Sequence, residues 1–504
     1  MPHIAAKRRR LMGKTEPSVY QKLGFSVERA KSPVRAGRKQ PAPLSDIPRG
    51  SPDHEYLEAR RLPRFVAQAA EATDMEAVAE SLKNFCAVQM PMAQLKPTSK
   101  RPLKISIGTM CSGSEMYITS LPELQAVIRA AAGIEVYLDH AWSCEWVRWK
   151  REWIWRNFAP RRIFADAADL CQEEGAFDDV SGSKQPVEIV TVLIAGFSCK
   201  DASLLNVHHK SRKDCIKSGE GTTGSTFRYV LNVVKRQQPL LVILENVVAL
   251  TNPSQSGKSN LDFVKEAFAA IGYNLVWRIF DAADAGAPST RRRIYMTAYR
   301  SCHAIVGEDA AQMGVDAAVD RICQASEQHH LDDFLFPDAV VSTWQPHVCK
   351  IKSSDSWKEK HRPLWQKVQF AADKSAYHES LANNTSFQAM SERQQDLLLL
   401  RLCAFAFPGP ASGVIAVNTS CTLSRYSTYL PTQLPTSQYW LLDRSRLQLG
   451  AEAMVLQGAD LVDLPACRPG GPFSDRQLQN LGGNAFHVWQ FVVWLLATLE
   501  AIQF

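Results

Sequence analysis

Two short apolar runs, each followed at once by reactive polar residues, place the strongest constraint on the fold of this chain. The first, residues 192–195, leads within four residues to Cys199, and the second, residues 239–244, leads directly to Glu245 and Asn246. Runs of this length and composition are typical of parallel strands buried on both faces. Ligands of such sheets bind at the carboxyl ends of the strands. We therefore predict that the Cys199 thiol and the Glu245 carboxyl group share one crevice, although a single cysteine is more often only a small buried hydrophobe.

The rest of the chain between residues 104 and 299 alternates β-rich runs with segments of helical periodicity. The predicted strands are 105–110, 136–142, 189–194, 240–244 and 294–298, and the predicted helices are 227–236 and 261–271. This alternation predicts an α/β fold with a Rossmann-like, doubly wound and mostly parallel sheet. Residues 53–92 carry apolar positions at helical spacing, which predicts one or two further helices before the sheet begins.

The polar blocks at the ends of these strands, in this order, resemble those of the cytosine-C5 methyltransferase family. The resemblance covers roughly residues 103–300 and 440–500. It rests on Ile105–Met116, Trp142–Glu145, Phe164–Asp166, the block around Cys199, Glu245-Asn-Val247, Arg291-Arg-Arg293, Arg446–Gly458 and Gly483–Phe486. Each block is weak alone, but so many in the family's order form a strong signal.

The resemblance implies a class I methyltransferase core with a catalytic role for each of five residues. Cytosine C5 is a poor nucleophile, so the Cys199 thiolate is expected to add first at ring atom C6. Glu245 is expected to supply an acid against ring N3, and Asn246 to hold the backbone of the site. The family implies that Arg293 contacts the cytosine and that Arg291 supports the thiol loop.

The implied methyl donor and cofactor is S-adenosylmethionine. The expected cofactor-binding residues are Ser112, Gly113, Glu145, Asp166, Ala167, Gly196, Asn484 and Ala485. Glu145 is expected to accept from the ribose hydroxyls and Asp166 from the adenine amino group, while Gly113 allows close backbone approach. We predict no metal site, because the spacings of His and Cys match no standard zinc pattern.

Several residues depart from the family pattern in the donor loop (residues 111–116), in the thiol loop (residues 196–203) and at the start of the arginine motif. In an ungapped match Cys111 replaces a Phe, Glu115 a Gly, and Ser289 a Gln. Ser198 replaces a Pro, which predicts a more mobile Cys199. Lys200 replaces a Gln, and its ammonium group is expected to lower the pKa of the neighbouring thiol. Because the loss of positioning is expected to dominate, the departures predict a slow enzyme, in which Ser198→Pro combined with Lys200→Gln raises the rate.

Charge and composition divide the chain further. Residues 1–50 hold twelve Lys and Arg against three Asp and Glu, a net charge of +9 in a chain whose total is +7. We predict a basic, disordered tail over 1–52, a helical extension over 53–100 and a catalytic core over 101–300. A small inserted target-recognition domain over 301–440 and the C-terminal part of the core over 441–504 complete the prediction.

These observations favour a nuclear DNA (cytosine-5) methyltransferase. The basic run Lys7–Arg10 is a candidate nuclear-localisation patch, and twelve cysteines without a Cys-x-x-Cys pair indicate a reducing compartment. We predict no secretory signal and no membrane span, since the longest apolar stretch, Phe486–Leu499, is too short. Two alternatives stay open: a tRNA cytosine-5 methyltransferase, and a catalytically weak or inactive nucleic-acid-binding protein that retains the fold.

Overall fold

A nine-stranded sheet forms the centre of the computed structural model, which describes residues 43–47, 65–89, 103–111, 113–203, 214–253, 257–344, 356–368, 373–404, 416–419 and 429–504. The strands are β1 (Leu103–Met110), β2 (Val136–Cys144), β3 (Arg162–Phe164), β4 (Ala176–Asp178), β5 (Ser183–Gln185), β6 (Val192–Ala195), β7 (Leu241–Val247), β8 (Tyr273–Phe280) and β9 (Arg293–Arg300). Strands β10 (Ala416–Asn418), β11 (Tyr439–Leu441) and β12 (Arg446–Leu447) form a separate antiparallel sheet.

The order of the strands in the large sheet is β5-β4-β3-β2-β1-β6-β7-β9-β8. Strands β3, β2, β1, β6 and β7 are parallel, whereas β9 runs antiparallel between β7 and β8. From β1 the chain builds outward to β2 and β3, and then returns to add β6 and β7 on the other side. The boundary between β1 and β6 is therefore a topological switch point, where ligands of such sheets bind. This topology confirms the predicted α/β class and the mostly parallel sheet.

Some of the described helices cover both faces of the sheet, and others belong to a smaller, separate core. They are α1 (Phe65–Glu71), α2 (Met75–Gln89), α3 (Leu121–Ala132), α4 (Arg148–Asn157), α5 (Cys215–Ser218), α6 (Gly221–Gln237), α7 (Asn260–Ala269), α8 (Glu308–Ala325), α9 (Asp338–Val341), α10 (Trp357–Trp365), α11 (Lys374–Leu381), α12 (Thr385–Ala389), α13 (Glu392–Ala404), α14 (Gly450–Val455), α15 (Asp475–Asn484) and α16 (Val488–Ala501). Within the described ranges, none of these helices has the length and apolar character needed to cross a membrane.

Alternation along β6 shows how the two faces are built. Val192 and Ile194 belong to a core shared with α1, α2, α3, α8 and α16, whereas Leu193 and Ala195 belong to a core shared with α6 and α7. Successive strand side chains point to opposite faces, so a strand covered on both sides must be apolar throughout. This explains the uninterrupted apolar run that the sequence shows here.

The helical extension before the sheet packs against the C-terminal helix. The Phe65 ring stacks on Trp489 with centroids 4.6 Å apart, and the Ser81 hydroxyl donates to the Ile502 carbonyl (2.8 Å). The Asp74 backbone N–H donates to the Glu500 carboxylate (3.0 Å). Helices α1 and α2, whose role the sequence did not reveal, thus form part of the main core.

The described residues within 301–440 divide between the main core and a smaller one. Helix α8 lies against β8, where the Gln312 side chain both accepts from the Trp277 N–H and donates to the Trp277 carbonyl (3.0 and 2.9 Å). Helices α11 to α13 and the three-stranded sheet instead surround a separate apolar cluster that includes Phe387, Leu398 and Trp440. The extent of the target-recognition domain within 301–440 stays a prediction.

A short described segment falls inside the predicted tail. Leu44 is fully buried in the main core, and its backbone N–H donates to the Asp179 carbonyl (2.6 Å). The Trp155 indole N–H donates to the Ile47 carbonyl (3.1 Å). Residues 43–47 are therefore anchored to the core, which the composition of the tail did not reveal.

We expect Leu44→Ala to lower the free energy of unfolding by about 2–5 kcal/mol, the usual cost of truncating a buried Leu. Thermal unfolding measures this change, with Ser45→Ala at an exposed neighbouring position as the control. A chain that begins at residue 43 should unfold at a higher temperature than one that begins at residue 51. Equal unfolding temperatures for the two truncated chains would contradict a stabilising role of Leu44.

Candidate active site

The candidate site begins at the level where β1 and β6 end beside the middle of β7. Met110 and Ala195, the last residues of β1 and β6, lie side by side with Leu244 of β7 in the register of the sheet. The residues that follow these three positions therefore meet at one edge. Gly113 and Cys199 lie in the loops after β1 and β6, and Glu245 is the next residue of β7.

Glu245 and Arg293 form an ion pair at this edge. The Arg293 Nε lies 3.0 Å from Glu245 Oε1, and both side chains are largely buried. The antiparallel pairing of β7 with β9 places Arg293 opposite Val247, two residues from Glu245 on the same face. The sheet thus fixes a carboxylate and a guanidinium group together beside the thiol loop.

Arg291 lies just before β9 and makes contacts that the sequence did not predict. Its guanidinium group donates to the Ala485 carbonyl and to the Gln433 carbonyl (3.3 Å from Nη1). Burial, with the nearby charge of Arg293, lowers the pKa of Arg291 to about 10. In the structure Arg291 therefore joins this edge to the C-terminal block, Gly483–Phe486. Its charge also opposes the rise in the pKa of the Cys199 thiol.

Burial and three charged neighbours determine the pKa of the Cys199 thiol. Burial raises the pKa of Cys199, Glu245 raises it further, and Arg293 and Arg291 oppose the rise. The net shift is upward, opposite in direction to the lowering expected from Lys200, whose charge also acts on Glu145. The net shift keeps Cys199 mainly as a thiol at neutral pH.

The thiol loop is held from the side of β7 by Asn246. Its side-chain N–H donates to the Phe197 carbonyl (3.0 Å), and Asn246 itself is buried. The contact lies two residues from Cys199. An amide at this position thus fixes the backbone that leads to the thiol.

Two glycines allow the C-terminal block to approach the donor loop and the thiol loop. Gly113 has a φ of +73°, and a Cβ atom there would lie 2.5 Å from the Asn484 carbonyl oxygen. A Cβ atom on Gly196 would lie 2.6 Å from the Phe486 ring. Only glycine fits these approaches without displacing a neighbour. Ser112 lies outside the described residues.

The expected donor-binding carboxylates follow β2 and β3. Glu145 is buried, its Oε1 accepts from the Val147 N–H (2.8 Å), and burial raises its pKa. Asp166 Oδ1 accepts from the Ala168 N–H (2.9 Å). Ala167, the residue between these two in the sequence, is half-buried. Burial and the charges of Glu145 and Asp166 raise the pKa of Cys111 to about 12.

Glu115 anchors the donor loop, which the comparison with the family pattern did not reveal. Its Oε1 accepts from the Thr109 hydroxyl (2.5 Å) and its Oε2 from the Ser143 hydroxyl (2.8 Å). His140 Nε2 lies 3.4 Å from the same carboxylate, and burial lowers the pKa of His140 to about 3. Glu115 adopts a left-handed φ of 55°, where glycine is preferred, so its contacts with β1 and β2 offset a backbone cost.

Trp146 is a further candidate for ligand contact, which the sequence motifs did not indicate. It follows Glu145 directly and is 70% exposed, while its carbonyl accepts from Arg151 Nη1 (2.7 Å). An indole fixed through its backbone and exposed beside a buried carboxylate suits stacking on a flat ligand. An aromatic residue placed just after an acidic strand end was the signal available in the sequence.

The chain is similar in sequence to known cytosine-specific DNA methyltransferases. Residues 130–424 match the family model described as C-5 cytosine-specific DNA methylase. The chain is 27% identical over 414 residues to the DNA (cytosine-5-)-methyltransferase DMT5 of Cryptococcus neoformans var. grubii, covering 76% of this chain and 16% of that protein. It is 27% identical over 160 residues to the type II methyltransferase M.HhaI of Haemophilus parahaemolyticus, covering 32% of this chain and 42% of that protein.

Among solved structures, the chain is similar to a putative DNA modification methyltransferase from an E. coli prophage, with a TM-score of 0.43 and 15% identity, covering 79% of this chain and 98% of that one. It is similar also to the S. pombe Dnmt2 methyltransferase, with a TM-score of 0.39, 14% identity and the same two shares covered. The chain spans about a sixth of the DMT5 relative and about a quarter of the type II methyltransferase M.NlaIV of Neisseria lactamica.

We expect the alkylation of Cys199 by iodoacetamide to rise steeply with pH from 7 to 9 and not to level off below pH 8.5, the ordinary thiol value. The raised pKa of Cys199 is the reason, because only the thiolate reacts and its fraction grows by about tenfold per pH unit below the pKa. Peptide mass spectrometry measures the rate at this residue, with the exposed Cys302 as the reference in the same sample.

Glu245→Gln should increase the rate of Cys199 alkylation at pH 8, because it removes the negative charge that raises the pKa of Cys199. If the alkylation rate of wild-type Cys199 levels off below pH 8, the site stabilises the thiolate and the expected rise in the pKa is wrong.

Proposed function

Since the chain belongs to the C-5 cytosine-specific DNA methylase family, whose model matches residues 130–424, we propose that it methylates cytosine C5 in DNA through a covalent adduct on Cys199. The observation that carries the proposal is the edge where Cys199 lies beside the Glu245–Arg293 ion pair. A thiol, a carboxyl group and a guanidinium group in one crevice are the groups that addition to a pyrimidine requires.

In the proposed reaction the Cys199 thiol loses its proton to solvent water, its sulfur forms a bond to ring C6, and the electron pair of the C5–C6 π bond moves to C5, which takes the methyl group. Protonated Glu245 donates a hydrogen bond to ring N3 and offsets the negative charge that develops there, while Arg293 orients Glu245 and contacts the base. After methyl transfer a water molecule accepts the C5 proton, the C5–H electron pair restores the C5–C6 double bond, the C6–S bond breaks and Cys199 leaves as a thiolate. The target base must leave a duplex to reach this crevice.

We propose S-adenosylmethionine as the donor, which supplies the methyl group from its sulfonium centre. The residues beside the switch point fit this molecule. Glu145 and Asp166 offer acceptors for hydroxyl and amino groups, and Trp146 offers an exposed ring for a purine. Asn484 lies against Gly113 and would close this side of the pocket.

We further propose that the segment around α10 contacts the phosphates of the nucleic acid. Lys358, Lys360 and Arg362 are exposed there, and the Lys374 ammonium lies 4.3 Å from the centre of the Trp365 ring. Exposed cations beside aromatic rings suit phosphate contact and base stacking. We propose a nuclear location on the basic run Lys7–Arg10, which lies outside the described residues.

We expect the wild-type chain to transfer a labelled methyl group to DNA and to form a stable adduct with DNA that contains 5-fluorocytosine, because fluorine at C5 cannot leave as a proton. Cys199→Ala should abolish both. Glu245→Gln should lower the transfer rate by about 10²–10⁴, the usual loss when an acid-base group is removed. Denaturing electrophoresis detects the adduct, and Cys302→Ala at an exposed thiol is the control.

The same assay with tRNA tests the alternative substrate. Transfer to tRNA without transfer to DNA would replace the proposed substrate. An adduct that persists in Cys199→Ala would remove this residue from the mechanism.

Donor binding should depend on Glu145 and Asp166. Each is expected to form charge-assisted hydrogen bonds worth about 1.5–3 kcal/mol, so alanine at either position should weaken binding of S-adenosylmethionine by about tenfold to a hundredfold. Calorimetry measures the affinity, with Glu135→Ala at a mostly exposed side chain as the control. Native affinity in both variants would overturn the assignment of the pocket.

A further inference from the structure

The backbone of the thiol loop is bonded to the start of helix α6. The Ser198 N–H donates to the Thr226 hydroxyl (3.0 Å), and the Ser198 hydroxyl donates to the Thr222 hydroxyl (3.3 Å). A proline at position 198, as the family pattern has it, carries no N–H and could not make the first of these bonds. Ser198 therefore has hydrogen bonds to α6 in place of the restraint on φ that a proline would impose.

Asp201, two residues beyond the thiol, binds the same helix in a reciprocal pair. Its carboxylate accepts from the Thr223 backbone N–H (2.8 Å), and its own backbone N–H donates to the Thr223 hydroxyl (2.9 Å). Both side chains are buried. Charge-assisted bonds of this kind are stronger than neutral ones.

The carboxylate of Asp201 acts as the N-terminal cap of α6. Glu220 precedes the helix and makes no side-chain cap bond, so the first free N–H groups receive an acceptor that lies 22 residues away in the sequence. The negative charge also meets the positive end of the helix dipole. The cap therefore couples the position of the thiol loop to the position of the helix.

Gly221, the first residue of α6, makes room for this cap. It has a φ of +67°, and a Cβ atom there would lie 2.4 Å from Asp201 Oδ2. No other residue type allows the carboxylate to lie so close over the helix start. The chain thus carries a matching feature on the helix side.

Cys199 lies between fixed points on both sides. Asn246 holds the Phe197 carbonyl, Thr226 holds the Ser198 N–H, and the Cys199 carbonyl accepts from the Ser203 N–H (2.8 Å). Asp201 completes the set. The backbone that carries the thiol is therefore held at four of the five residues from 197 to 201, without a proline.

We propose that these contacts form a latch that positions Cys199 for attack on the base. The latch consists of Ser198, Asp201, Thr222, Thr223 and Thr226. Its members are positioning residues, since they act through the loop and not on the substrate. This inference rests on the proposed function, and a misplacement of about 1 Å can cost a hundredfold in rate.

The latch reverses the expectation that a proline at position 198 improves the enzyme. Ser198→Pro removes the N–H that Thr226 accepts and should slow methyl transfer by about tenfold or more. The local sequence predicts only the lost restraint on φ, because it cannot show that α6 begins beside the loop.

The main test compares single-turnover methyl transfer, at saturating donor and DNA, in three variants of α6. Thr226→Val removes the acceptor and should lower the rate by about tenfold to a hundredfold, whereas Thr226→Ser should retain most of it. Ser225→Ala is the matched control, because it also removes a hydroxyl bond within the same helix turn (Ser225 to the Gly221 carbonyl, 2.7 Å) but does not touch the loop. Asp201→Asn should lower the rate as Thr226→Val does.

Two further readouts separate positioning from general damage. Donor affinity and the rate of Cys199 alkylation by iodoacetamide should stay within about twofold of wild type in Thr226→Val, because a small reagent needs no aligned thiol. A parallel loss of donor affinity and transfer in Thr226→Val, or an equal loss in Ser225→Ala, would reduce the latch to a structural role and overturn the proposal. Unchanged transfer in both Thr226→Val and Asp201→Asn would overturn it as well.

Hydrogen exchange tests the latch independently of activity. The Ser198 and Asp201 amides should be protected in the wild-type chain, and Thr226→Val should remove the protection at Ser198. If the wild-type chain transfers no methyl group to DNA or to tRNA, the proposed function fails while this measurement still decides the latch. Unprotected amides in the wild-type chain would overturn the latch alone.

Discussion

The register that aligns the ends of β1 and β6 with Leu244 of β7 is the constraint on which the rest of the structure depends. Because Met110, Ala195 and Leu244 lie side by side, the donor loop, the thiol loop and Glu245 meet at one edge. A shift of one residue in any of these strands would turn its side chains to the opposite face. The apolar cores on both faces of the sheet resist such a shift, so the packing that stabilises the fold also aligns the chemistry.

Much of this arrangement could be predicted from local sequence, and the remainder depends on distant contacts. The buried strands and the polar residues that follow them are visible as apolar runs with abrupt ends. Strand β8 was missed because its apolar pattern is interrupted by Arg278, which pairs with Asp316 on α8, and its edge is covered by Gln312 on that helix. The burial of Leu44 and the packing of α1 and α2 on α16 likewise involve partners far away in the sequence.

The departures from the family pattern show the same limit. Ser198 and Glu115 look like losses when each is compared with a motif one position at a time. In the folded chain Ser198 is bonded to Thr226 and Glu115 to Thr109 and Ser143. Lys200 shows the converse, since the pKa of Cys199 is raised even though an ammonium group follows it directly in the sequence. A motif residue is therefore best judged by what it contacts.

The close approach of Asn484 to Gly113 has a consequence for biosynthesis. The two walls of the proposed donor pocket come from segments that leave the ribosome at very different times, on the order of half a minute apart at roughly 5–20 residues per second. Until the later segment arrives, the part of the apolar sheet face that α16 covers stays open, while α1, α2, α3 and α8 on the same face have already been synthesised. During that interval the nascent chain exposes part of its core, which chaperone binding could protect.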